Sequence, residues 1–330
     1  MFIRSLLFGF LLMLTLNLFG QNSIESELIK QGVEMQEKGL IPEALNKFNQ
    51  AIDLNPKSSE AYYYCSLNYY AQAKYSKCSD MALLSIKQKT GFYIESVLLL
   101  CSSNDKMGIS IRSVPELQKA IKKNPDNSEL RMRLGEVYFI NKQYLEAEKL
   151  LKEAIDINSS LPEYHLFMAN IMLVRGEKIK TMLALYYYLL ISQNSPESER
   201  AYDLLTKLWS NSVDEGNDRT MITARAGFDI YRLSELSISV LPDTPVGKNK
   251  LEVFMFQTNH FNSILASSDW SKTDFWVRHY IQMFNSINNK GYNSSYGCFI
   301  SGCKYKPEVL VWISGHMNEF IKFSQWMEKQ

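Results

Sequence analysis

Apolar and small residues recur along this chain at helical steps, and one arrangement of them is written more than once. In YLEAEKLLKEAIDINSS, residues 144–160, Ala147, Leu151 and Ala154 share one face of a helix. An earlier stretch, IPEALNKFNQAIDLNPKSS, repeats the order with Ala44, Phe48 and Ala51 and closes on Pro56. Pro125 closes a further copy 69 residues after Pro56, and Ala120 and Ala154 stand 34 apart. A period of 34 to 35 residues predicts helix-turn-helix units that stack on their neighbours, with copies starting near Glu25, Ser59, Ile94, Ser128 and Pro162. A helix over 196–209 continues the array, and the polar run NSVDEGNDRT then breaks it. Helical patterns follow over 222–240, 248–267, 273–288, 292–301, 307–314 and 317–329. Strand-like alternation is absent, so the expected fold class is all-α.

The fourth copy holds Leu134, Gly135, Tyr138, Ala147, Leu151 and Ala154, and the first holds Leu28, Gly32, Met35, Ala44, Phe48, Ala51 and Pro56. Over residues 25 to about 195 this pattern resembles the tetratricopeptide repeat. The resemblance implies a right-handed helical solenoid in which the first helix of each copy, helix A, lines a concave groove. The expected organisation is a leader over 1–20, the solenoid over 21–210, and a C-terminal helical region over 211–330 that packs on it. That last region loosely resembles the helical tail of some exported bacterial repeat proteins.

Close packing explains the small positions. Helix axes approach to about 8 Å only across small side chains, so Gly32 and Gly135 are expected to face Ala44 and Ala147. Gly39, Gly108 and Gly176 are expected to supply a positive φ at the end of helix A. In the second and third copies Ser66, Cys78 and Cys101 take small places, and Pro115 predicts a short helix B that starts beside it. The run MLALYYYLLI, 182–191, is apolar on every side and demands cover from more protein.

Charge and composition narrow the function classes. Lys and Arg number 36 against 35 acidic residues, so no basic excess points to nucleic acid. The first residues, MFIR and then SLLFGFLLMLTLNLF, have the order of a secretory signal, too short to span a bilayer, with cleavage expected after Gly20. A periplasmic or secreted protein without membrane insertion is therefore expected. In that setting Cys298 and Cys303 are a pair to weigh as a disulfide or as two thiols.

Catalytic chemistry finds little support. His165, His260, His279 and His316 stand in no metal-ligand spacing, Asp274 and His279 are five residues apart, and no nucleophile elbow or phosphate loop occurs. The acidic stretch 214–218 lacks the terminal Glu of a calcium loop. No cofactor or metal is expected. The inward place near the start of helix A instead holds Ile29, Tyr63, Leu98, Met132 and Leu166, and Leu67, Tyr70 and Phe139 extend the stripe. Aromatic residues and Met suit contact with a peptide or helix of a partner protein. Ile29 and Val33 stand where the chaperone-binding relatives would need Lys and Asn, which disfavours a charged C-terminal tail as ligand. The expectation is a non-catalytic interaction scaffold of the cell envelope, its groove either open or filled by its own tail. The alternatives are an enzyme or small-ligand protein working through the C-terminal region, and self-association through the aromatic tail.

Overall fold

The computed structural model describes residues 24–89, 91–209, 248–267 and 270–329. The leader, the boundary at 211, the acidic stretch 214–218 and the helix expected over 222–240 lie outside the described residues. Among the described residues every regular element is helical and no strand occurs. They form two compact units that divide between Ala147 and Glu148.

The first unit is a series of helical hairpins. Its helices are α1 (24–37), α2 (Ile41–Leu54), α3 (Ser59–Ala71), α4 (Tyr75–Gln88), α5 (Tyr93–Lys106), α6 (Val114–Lys123) and α7 (Ser128–Ile140). The next helix, α8 (Tyr144–Ile157), crosses the boundary between the units. Their starts have local causes. Ser58 accepts a hydrogen bond from the Ala61 amide at 3.2 Å and Asn127 one from Leu130 at 2.9 Å, so each satisfies an amide that the first turn leaves open. Proline stands in the first two positions of α2 and α6, where its missing N–H costs nothing. Pro115 thus opens a helix B of ten residues, short as expected, behind a single 3-10 turn, Ser110–Ser113.

One turn closes helix A in every copy. Gly39, Ala73, Gly108, Lys142 and Gly176 all have φ between 56° and 76°. At each, the left-handed residue donates to the carbonyl three before it and the next residue to the carbonyl five before that residue. At the first turn these are Gly39 to Gln36 and Leu40 to Met35, both 2.9 Å. The positive φ expected at three glycines is therefore present, and two residues with side chains adopt it as well.

Small side chains let the hairpins close. Ala44, Ala51, Ala61 and Cys65 are fully buried around Phe48 and Ile29. Gly32 meets Phe48 rather than Ala44: a Cβ on Gly32 would lie 2.5 Å from the ring, so the missing side chain makes room for an aromatic face. Cys78 and Cys101 are buried at the small places of their copies. Ser103 donates to the Cys78 sulfur at 2.8 Å, and Ser96, Ser85 and the Ser59 carbonyl form a buried chain with both links 2.8 Å, so these hydroxyls do not go unsatisfied.

The second unit is built around α10 (Lys178–Ile191), which follows α9 (Pro162–Val174) and precedes α11 (Pro196–Trp209). Then come α12 (Lys250–Ser267), a π turn Val277–Ile281 that runs into α13 (Gln282–Asn289), α14 (Asn293–Ile300), α15 (Lys306–Gly315) and α16 (Met317–Met327). The cover that α10 demands is present: the Tyr186 ring stacks on Phe261 at 5.0 Å and meets Phe284 and Tyr296 at 6.2 Å. Trp209 Nε1 donates to the Tyr186 hydroxyl at 2.9 Å, and Tyr296 donates to the Tyr186 carbonyl at 3.0 Å. On α14, a Cβ on Gly297 would lie 3.2 Å from the Met255 backbone, so glycine there lets α14 lie against α12.

Candidate partner-binding face

The helices A of the first unit carry one pattern three times. On α3, Glu60, Tyr63, Leu67 and Tyr70 fall at i, i+3, i+7 and i+10; on α5 the places hold Glu95, Leu98, Ser102 and Asp105, and on α7 Glu129, Met132, Glu136 and Phe139. That spacing puts each set on one side of its helix. Ala61, Cys65 and Asn68 on α3, and Leu130, Leu134 and Val137 on α7, are buried on the other sides. Tyr63, Leu67, Tyr70, Leu98, Met132 and Phe139 each stay half-buried, anchored yet still exposed in part.

Ring contacts fix the aromatic members. Tyr63 stacks on Phe92 at 4.8 Å and meets Tyr64 edge-on at 5.3 Å, while Tyr64 stacks on Phe48 at 5.3 Å. Tyr70 meets Tyr75 edge-on across its turn at 5.4 Å, and two repeats later Phe139 meets Tyr144 in the same way at the same distance. A ring held by neighbours loses little rotamer freedom when a ligand arrives.

Polar chemistry occupies the other end of the stripe. Arg133 bridges α5 and α7, donating to Asp105, to Glu136 at 2.6 Å and to Ser102 at 3.4 Å. Burial pushes the Asp105 carboxyl above its ordinary range even beside Arg133. Its Oδ1 is buried without a hydrogen-bond partner. Burial also raises the Glu60 carboxyl, with Glu25 adding like charge, and it raises the Tyr63 hydroxyl, with Glu95 adding.

Two of the expected residues do not join this group. Ile29 is 5% exposed and enclosed in the core with Ala44 and Phe48, because its side of α1 turns toward α2. Leu166 belongs to the second unit, half-buried on α9. Sequence reasoning passed over Glu60, Glu95, Glu129 and Arg133; the recurrence of Glu at the second place of helix A was the signal available for three of them.

In the second unit the polar groups mostly satisfy one another. His165 is fully buried, with Nδ1 2.9 Å from the Tyr280 hydroxyl and Nε2 2.8 Å from the Ser159 carbonyl. The carbonyl can only accept, so Nε2 carries the proton and Nδ1 accepts from Tyr280. Burial depresses its pKa to about 4, keeping the ring neutral. Burial disfavours ionised Asp156, but His279 at 2.6 Å and Arg278 at 3.1 Å outweigh it and hold the carboxyl below its usual range. Cys298 is a buried thiol directed at the Val309 carbonyl and Cys303 a half-buried one directed at the Ile300 carbonyl, with no disulfide between them. Among the described residues no group of three His, Cys, Asp or Glu side chains could hold a metal. None of the described helices is long and apolar enough to cross a membrane.

Helical hairpins in series, each closed by the same left-handed turn, define an α-helical repeat solenoid. Residues 113–171 match the Tetratricopeptide repeat family. Among solved structures the chain is similar to YrrB, described as a TPR protein with an unusual peptide-binding site, at 16% identity and a TM-score of 0.46, over 54% of this chain and 90% of that one. It is similar to TTC0263, a thermophilic TPR protein of Thermus thermophilus, at 19% identity and a TM-score of 0.42, over 56% and 98%. It is also similar to pilF of Pseudomonas aeruginosa, at 13% identity and a TM-score of 0.45, over 58% and 91%. No curated protein matches the chain.

Proposed function

We propose that this protein is a non-catalytic scaffold that holds a peptide or helix of a partner protein against the A-helix face of its first unit, in the cell envelope after export. The repeat fold supports the general role of holding proteins. The observation that carries the finer reading is the stripe of half-buried Tyr63, Leu67, Tyr70, Leu98, Met132 and Phe139, which three successive A helices present in one register. Interfaces draw most of their energy from such anchored aromatic residues. The leader-like first twenty residues support export.

The test is cross-linking capture from the envelope of the native host, comparing the full mature chain with its Tyr63→Ala, Tyr70→Ala double variant. Loss of one specific partner, with an unchanged circular dichroism spectrum, is the expected result. A partner retained undiminished by the double variant overturns the reading.

A further inference from the structure

The A-helix face has a charge character that the whole chain lacks. The chain is close to neutral, at +1. On the ligand-facing places of α3, α5 and α7, however, Glu60, Glu95, Asp105, Glu129 and Glu136 outnumber the cations Lys106 and Arg133. Arg133 is already committed to Asp105 and Glu136. Glu60, Glu95 and Glu129 form no ion pair among the described residues, nor does the exposed Lys30 on neighbouring α1.

Helix chemistry accounts for a carboxylate in the first turn, where it complements the amide dipoles. Where a carboxylate opens α6 or α10, a lysine three residues on answers it: Glu116 with Lys119 at 2.7 Å and Glu177 with Lys180 at 3.1 Å. Three residues after Glu60, Glu95 and Glu129 come Tyr63, Leu98 and Met132. Glu43, Glu146, Glu163 and Glu197 also open helices without an ion pair among the described residues, so what sets Glu60 and Glu95 apart is the aromatic rings beside them. Glu60 stands three and four residues before Tyr63 and Tyr64 on α3, and Glu95 three after Phe92, whose ring stacks on Tyr63 at 4.8 Å, so carboxylates and rings sit close together.

We infer that the partner segment is a peptide that presents an arginine among apolar residues, and that this arginine docks at the Tyr63–Tyr64–Phe92 ring cluster between Glu60 and Glu95. This rests on the reading that the A-helix face binds peptides. Guanidinium fits the place on two counts. Its plane stacks on aromatic rings, and its fork donates to carboxylates, which this site supplies without internal competitors. Apolar side chains on either side of the arginine match Leu67, Leu98 and Met132.

Fluorescence anisotropy with three fluorescein-labelled nonapeptide pools tests the inference. The pools share randomised Ala, Leu, Phe and Ser at all outer places and differ only in a fixed central residue: arginine, its neutral isostere citrulline, or glutamate. With the full mature chain, the arginine pool is expected to bind on the order of 5- to 10-fold tighter than the citrulline pool, and the glutamate pool weakest. Glu60→Gln with Glu95→Gln should bring arginine down to the citrulline level and leave citrulline binding unchanged. Equal binding of the arginine and citrulline pools overturns the arginine specificity while leaving peptide binding in place. An arginine preference that survives the double glutamine variant overturns the assigned position. If no pool binds, both the inference and the peptide-binding reading fall.

Discussion

Replacing Lys142 by glycine should make this protein more stable, although it deletes a side chain. Lys142 has a φ of 61° and Ala73 one of 56°, at the place where three other copies use glycine. Both residues are exposed, so little packing is lost with their side chains. An L residue in the left-handed region is strained by about 1–2 kcal/mol, and glycine removes that strain. Glycine also loosens the unfolded chain, which takes back about 0.4–1 kcal/mol. The net gain expected for Lys142→Gly or Ala73→Gly is about 0.5–1 kcal/mol each. Gly108→Ala should do the reverse by about 1 kcal/mol, since a Cβ on Gly108 meets nothing within 4 Å and only the backbone resists it. Urea unfolding reads the effect as a shift in midpoint at constant slope. Lys142→Ala is the control that separates charge removal from backbone relief, and it should leave the midpoint nearly unmoved. A Lys142→Gly midpoint at or below the wild-type value, or one matched by Lys142→Ala, would refute the argument.

Two further outcomes follow from the packing. Gly32→Ala places a methyl group 2.5 Å from the Phe48 ring and should cost about 1–3 kcal/mol by overpacking, measured by the same unfolding experiment; Gly32→Ala with Phe48→Leu should recover part of the loss. Burial lowers the folded pKa of His165 to about 4 from an ordinary 6.5. The unfolded state therefore binds more protons between those values, and stability drops as the pH drops. This contribution, on the order of 3 kcal/mol, is fully present above about pH 6.5 and lost as pH falls to about 4; His165→Gln should flatten the slope of unfolding free energy against pH across that window.

The repeat register was legible because it depends on small residues at fixed spacing, and Gly32 and Ala44 announce it in the first copy as Ala147 and Ala154 do in the fourth. The turn was only partly legible. Gly39, Gly108 and Gly176 advertise a left-handed residue, whereas Ala73 and Lys142 reach the same conformation because two hydrogen bonds hold the helix end there, Ala73 to Tyr70 and Lys74 to Tyr69 in the second copy. Ile29 was misplaced for another reason. In the first copy the place that stays half-buried on α3, α5 and α7 is enclosed in the core, and one step along a helix decides between the two. The ties of the second unit could not be read at all, because His165 with Tyr280 and Asp156 with His279 join residues more than a hundred positions apart through packing that no local pattern encodes.

The buried cysteines give each unit a clock. Burial pushes the Cys65 thiol up to about 12, Cys101 to about 11 and Cys298 to about 12. A thiol reacts as its thiolate, so at neutral pH these sulfurs are nearly inert until the hairpin around them opens. Alkylation then counts openings: Cys65 and Cys101 time the first unit, and Cys298 times the second. Breathing of the two halves can thus be followed separately in one unlabelled, unmutated chain.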